Sequence, residues 1–230
     1  MPDWIDISVP VTAGMAHWPG DPEIVVNRIA TIGPDSFCNL TAISMCAHTG
    51  THMDAPLHFI DGGAPMDAMP LDAVIGPARV IEIFDPEKIT RAELERHEVQ
   101  RGERILLKTS NSSRIWKSKM FIEDFVYIAR DAADYLAETG VRTVGIDAYS
   151  VGGLHNDLQE THLSLLGAGI WIVEGLNLER AAPGEYEFIC LPMKLMGADG
   201  APARAVIRRA NRPENASRHS FRAATVRERL

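Results

Sequence analysis

Apolar and polar residues alternate at the start of the chain. Ile5, Ile7 and Val9 are separated by Asp6 and Ser8, a period of two that predicts a half-buried strand ending at Pro10. Residues 15 to 22 contain Pro19, Gly20 and Pro22 and are predicted as an irregular loop. Further strands are predicted over residues 23 to 30, 38 to 46, 80 to 84, 105 to 108, 144 to 147, 170 to 173, 186 to 190 and 204 to 207. Helical spacing is clearest over residues 122 to 139, where Phe125, Ile128, Ala129, Ala132, Tyr135 and Leu136 fall on one face and Gly140 closes the helix. Thr90 and Glu93 form a capping box, which predicts a shorter helix over 91 to 98. A third helix is predicted from about Asn156 or Asp157 to Gly167. This mixture predicts a single α/β domain, a mixed sheet with flanking helices, over residues 1 to 209. Asn111, Ser112, Ser113, Arg114 and Trp116 read as a polar loop bordering a pocket or a neighbouring subunit. Residues 210 to 230, rich in Arg and poor in large apolar side chains, read as a tail outside the core.

Composition narrows the partners more than the fold. The 230 residues are 46% hydrophobic and 23% charged, as in an ordinary globular protein, and the net charge of −8 argues against nucleic acid or an anionic membrane as a partner. No basic-then-apolar leader precedes Trp4 and no apolar run approaches ~18 residues, so a cytoplasmic protein is expected. Cys38, Cys46 and Cys190 lack Cys-x-x-Cys spacing and are expected as free thiols, with Cys46 a small buried apolar residue.

The candidate chemistry is concentrated in residues 48 to 59, which hold His48, His52, Asp54 and His58. All four positions are even, so on an extended chain their side chains share one side. On a helix Asp54 would lie ~200° around the axis from His52, and Gly50, Pro56, Thr49 and Thr51 also disfavour a helix. Imidazole nitrogen with carboxylate oxygen suits zinc or manganese, and three protein ligands leave open positions, the catalytic arrangement. His48, His52 and Asp54 are therefore candidate ligands, and His58, beyond the stiff Pro56, is a candidate proton carrier. A strand-end carboxylate, Glu174, follows the apolar run Ile170–Trp171–Ile172–Val173, but on the residues alone it is as readily a solvated group.

His48-Thr-Gly-Thr-His52-Met-Asp54-Ala-Pro56-Leu-His58-Phe59 resembles the signature of the cyclase family of metal-dependent hydrolases, which includes bacterial kynurenine formamidases and isatin hydrolases. The resemblance extends over roughly residues 3 to 209. It implies a swivelling β/β/α fold, a homodimer or homotetramer, and a second metal held by His162 and Glu174 with Asp54 bridging. It also places Trp18, in Trp-Pro-Gly-Asp, against an aromatic substrate ring. The implied reaction is hydrolysis of an N-formyl arylamine such as N-formylkynurenine with one or two metals per chain. Where many kynurenine formamidases carry a Pro-Ser loop this chain has Ala148-Tyr149-Ser150, so a cyclic amide, as for isatin hydrolases, is the second expectation. A metal-dependent binding protein without turnover is the third.

Overall fold

The computed structural model describes residues 4–210; the expected tail, apart from Ala210, lies outside the described residues. In chain order the strands are β1 (Ile5–Asp6), β2 (Val25–Ala30), β3 (Leu40–Ser44), β4 (His52–Asp54), β5 (Ile75–Glu82) and β6 (Lys88–Ile89). They continue as β7 (Arg104–Lys108), β8 (Tyr127–Ile128), β9 (Thr143–Ile146), β10 (Trp171–Glu174), β11 (Gly184–Pro192) and β12 (Gly200–Arg209). The helices are α1 (Arg91–Glu95), α2 (Asn111–Arg114), α3 (Arg130–Thr139) and α4 (Leu158–Gly167).

Strands β5, β7, β9 and β10 run parallel, and every residue of β9 and β10 is buried, as strands covered on both faces require. Strands β11, β12 and β4 are antiparallel to their neighbours, and β4 pairs with both β10 and β12. That double pairing closes a seven-strand barrel, with β1 added beside β12. Closure removes the sheet edges that would otherwise template aggregation.

Two cores result, one on each face of the barrel wall. Met53, Val173, Leu106, Tyr186, Phe188 and Ile207 fill one, while Ile172, Ile146, Leu165, Leu166 and Leu136 fill the other beneath α3 and α4. Successive residues of β10 therefore belong to different cores, the alternation a strand dictates. No helix among the described residues is long and apolar enough to cross a membrane.

Several elements differ from expectation. The helix expected over 122 to 139 exists only as α3, because the backbone before it finds distant partners. Val126 N bonds Asn111 Oδ1, Ile128 N bonds the Val151 carbonyl and Ala129 N bonds that of Ile89. Phe125 and Ile128 are still buried, so the apolar spacing reports burial there and not helix. Helix α1 stops at Glu95; Thr90 caps it, accepting from Glu93 N, and Glu98 has a positive φ of 48° just beyond. The strand expected over 80 to 84 begins earlier, at Ile75, and that expected over 38 to 46 pairs only with β2, outside the barrel. The expected polar loop at 111 to 116 is α2 and a following turn, with Asn111 and Ser112 buried. Ser112 bonds Asp147 through its hydroxyl and its amide.

Candidate metal centre

Strand alternation puts His52 and Asp54 on one face of β4, with Met53 turned into the opposite core. In the β4–β10 register Glu174 lies opposite His52, so its carboxylate shares that face. His162 is buried in the second turn of α4 and meets the same carboxylates. Gly175 makes this junction possible, since a Cβ there would lie 2.0 Å from the Gly50 carbonyl oxygen. Thr51 fastens it by donating its hydroxyl to the Gly175 carbonyl at 2.5 Å.

The hydrogen bonds of the two buried histidines decide which nitrogens face the carboxylates. His52 Nδ1 is 2.9 Å from the Gly50 carbonyl and His162 Nδ1 is 2.6 Å from that of Leu158. A carbonyl only accepts, so in each neutral ring the proton is assigned to Nδ1 and Nε2 carries a lone pair. Yet His52 Nε2 is 3.2 Å from Glu174 Oε2 and 3.5 Å from Asp54 Oδ1. His162 Nε2 is 3.3 Å from Glu174 Oε1 and 3.6 Å from Asp54 Oδ2. Lone pairs would face lone pairs unless a proton or a cation lies between them. His52 Nε2 and Asp54 Oδ2 are, moreover, buried without a hydrogen-bond partner. Orphaned nitrogen and oxygen donors in this geometry fit a divalent ion. Donor atoms of His52, Asp54 and Glu174 lie within 4.8 Å of one another, as do those of His48, Asp54 and His58.

His48 Nδ1 is 2.9 Å from Asp54 Oδ1, and its ring stacks on that of His58 at 3.9 Å. Its Nε2 is 3.0 Å from Asp199 Oδ2, which also lies 3.3 Å from His58 Nδ1. Gly200 allows this approach, because a Cβ there would lie 2.5 Å from His48 Cε1.

Charge accumulates around these rings. Burial pulls His162 down, but hydrogen bonds and charge from Asp54 and Glu174 outweigh it and raise its pKa to about 10. Burial likewise opposes Asp54 and Asp199 at His48, and they raise it to about 9. Asp54 is held well below the usual carboxylate range, its burial overcome by His162 and His48. His58 moves the other way because burial dominates, which favours a neutral imidazole.

A cavity of about 180 Å³ opens over the centre. His48, His52, His58, His162 and Glu174 line it along with Trp18, while Asp54 lies beneath, fully buried. The seven expected site residues are thus gathered in one place. Trp18 also packs edge-on against Phe121 and Phe125, at 5.5 and 6.3 Å between ring centroids, so it borders the core as well as the cavity. Cys46, expected to be buried, is only half-buried and lines the cavity with Asp21, because it sits in a turn outside the barrel strands. Tyr149, Phe59 and Asp199 were not singled out from the sequence. The available signal for Asp199 is its place before Gly200 in a glycine-bounded turn.

The sequence matches the Cyclase family, described as "Putative cyclase", over residues 5–152. A kynurenine formamidase of Bacillus cereus is 38% identical over 206 residues, spanning 90% of this chain and 97% of that protein. A solved structure described as a potential metal-dependent hydrolase with cyclase activity has a TM-score of 0.81 at 32% identity, covering 92% of this chain and 100% of that one. Isatin hydrolase A from Labrenzia aggregata, bound to benzyl benzoate, has a TM-score of 0.79 at 21% identity, covering 91% and 94%, and shares the fold. Fold and centre together define an α/β barrel protein with a His, Asp and Glu donor set able to hold metal. The chain belongs to the cyclase family.

Proposed function

We propose that the protein is a metal-dependent hydrolase of C–N bonds that converts an N-formyl arylamine, of the N-formylkynurenine kind, to formate and the free amine. The observation that carries this reading is the orphaned pair, His52 Nε2 and Asp54 Oδ2, at the base of a cavity with aromatic walls. The 38% identity to a kynurenine formamidase over nearly the whole length supports the substrate class. So does the cavity: at about 180 Å³ it lies below the ~300–1,000 Å³ typical of drug-sized ligands and suits one ring with its amide.

His48, His52 and Asp54 would hold a first zinc or manganese ion, and His162 and Glu174 a second, with Asp54 shared. Such ions supply Lewis acidity that ionises water near neutral pH and polarises a carbonyl. Trp18, Tyr149 and Phe59 exclude solvent and offer ring faces to the aryl group. His58, neutral and facing the cavity, takes the proton as water oxygen bonds to the formyl carbon. It returns that proton to the aryl nitrogen as the C–N bond breaks, a role typically worth ~10²–10⁴ in rate. The water thus supplies the second oxygen of formic acid, which ionises to formate, and the proton gained by the free amine.

The test is to strip metal, restore zinc or manganese, and follow formate release from N-formylkynurenine beside ring opening of isatin. Formate release that requires metal is expected. Isatin opening alone would favour a cyclic amide, tight ligand binding without turnover would favour a binding protein, and full activity after exhaustive chelation would sink the metal mechanism.

A further inference from the structure

Asp21 lines the cavity, and the chemistry proposed above gives its carboxylate no task. It closes the turn Trp18-Pro19-Gly20-Asp21, in which Asp21 N donates to the Trp18 carbonyl at 3.1 Å and Gly20 has a φ of 95°. Proline at the second position and a left-handed glycine at the third are the pattern of a type II turn, which holds its first and last Cα atoms within about 7 Å. The indole of Trp18 and the carboxylate of Asp21 therefore reach the cavity together, from the two ends of one turn. Pro22 stiffens the exit, because a residue before proline is confined to extended conformations.

What this carboxylate lacks is a counter-charge. The cavity lining holds no Lys or Arg, and its four histidines face other acids. His48 faces Asp54 and Asp199, His52 and His162 face Asp54 and Glu174, and His58 faces Asp199. The Cys46 thiol offers Asp21 a proton, but a thiol is a weak donor and brings no positive charge. Asp21 is half-buried, so water serves it while the cavity is open. Once an aryl ligand displaces that water, an unpaired charge becomes costly. A ligand that carries its own cation removes the cost, and one that carries none does not.

We propose that Asp21 is a specificity-determining residue, the acceptor for an ammonium group on the side chain of an aryl formamide. The inference rests on the aryl formamide reading of the cavity and names the feature of the substrate that this chain selects. With the ring against Trp18 and the formyl group over the metal donors, an ammonium a few bonds beyond the ring meets the adjoining Asp21. The contact distinguishes substrates of one ring and one scissile bond by the charge of their tails, because the same aryl formamide without an ammonium leaves the carboxylate unpaired.

Calorimetric binding to the metal-loaded full chain tests this without turnover. Kynuramine, an aryl amine with an ammonium on its side chain, is compared with 2-aminoacetophenone, which has the same ring and ketone but no ammonium. Wild-type protein is expected to bind kynuramine about 10-fold more tightly, the order that a charge-assisted hydrogen bond supplies in a partly exposed site. That preference should shrink as ionic strength rises. Asp21→Asn keeps the side-chain shape and the backbone hydrogen bond of the turn, and is expected to bring the ratio close to one. Asp21→Glu, which keeps the charge, should restore part of it, with circular dichroism confirming that both variants are folded. Wild-type protein that binds the two amines equally or binds neither, or Asp21→Asn protein that keeps the full preference, overturns the assignment. Formate release from N-formylkynurenine is followed separately, so a protein that discriminates the amines without turnover fails the hydrolase reading alone.

Discussion

Asp199 Oδ2 lies 3.3 Å from His58 Nδ1, an ion-pair contact without a hydrogen bond, close enough for its charge to bear on where the imidazole proton sits. That charge favours the proton on Nδ1 and leaves Nε2 as the base. Asp199→Asn can present an amide N–H to Nδ1 and favour the wrong tautomer. The expected result is a kcat about 10–100-fold lower with KM little changed and metal content retained. Unchanged kcat would show that His58 needs no orienting carboxylate.

His58→Ala separates proton transfer from metal binding. As the base, its removal should lower kcat by about 10²–10⁴ and leave metal stoichiometry as in wild type. The donor atoms of His48, Asp54 and His58 lie close enough to hold an ion themselves. A fall in bound metal, measured by elemental analysis, would therefore move His58 into the ligand set.

Glu174→Gln keeps shape but removes charge. The Gln carbonyl can still accept from Val151 N, which Glu174 Oε1 accepts at 2.6 Å, so the fold should be retained. Stoichiometry is expected to fall from two ions per chain toward one. An unaltered ratio would exclude Glu174 from the centre.

Trp18→Ala removes an indole that faces the cavity and also packs on Phe121 and Phe125. The KM for aromatic substrates should rise more than kcat falls, with a modest loss of thermal stability measured in parallel. Altered stability with unaltered kinetics would leave Trp18 a packing residue only.

The reach of the sequence is clear in these residues. His48, His52, Asp54 and His58 are legible together because their chemistry is local, four donors at even positions on a chain too rich in Gly, Pro and Thr to be helical. His162 and Glu174 are legible only through the family resemblance, since what joins them is the docking of α4 over β10. Asp199 reaches the centre through the β12–β4 pairing, in which Gly200 lies opposite Asp54, and its glycine-bounded turn marks the position without revealing that contact. The same cause hides the barrel, whose closure rests on three register pairs between β12 and the three-residue β4. The segment before α3 shows the opposite failure. Helical spacing of Phe125 and Ile128 correctly reports burial, but Asn111, Val151 and Ile89 hold the backbone extended.

His48 and His162 give the metal-free protein a definite pH dependence. Both have folded pKa values, about 9 and about 10, above the ordinary imidazole value of 6.5. Between pH 6.5 and those values the folded chain keeps protons that the unfolded chain has released. Their contribution to stability is complete below pH 6.5 and is lost as pH rises through 9 to 10. Asp54 and Glu174, both held low, contribute stability that is present above their ordinary range and lost as pH falls. The melting temperature of metal-free protein should therefore decline on the alkaline side well before lysines titrate. A divalent ion takes the place of the two protons, so binding near pH 7.5 should release close to two per chain, and affinity should weaken as pH falls. Isothermal titration in buffers of different ionisation enthalpy reads that number directly. Binding without proton release would mean that His48 and His162 do not change state with the ion, and would remove both from its ligands.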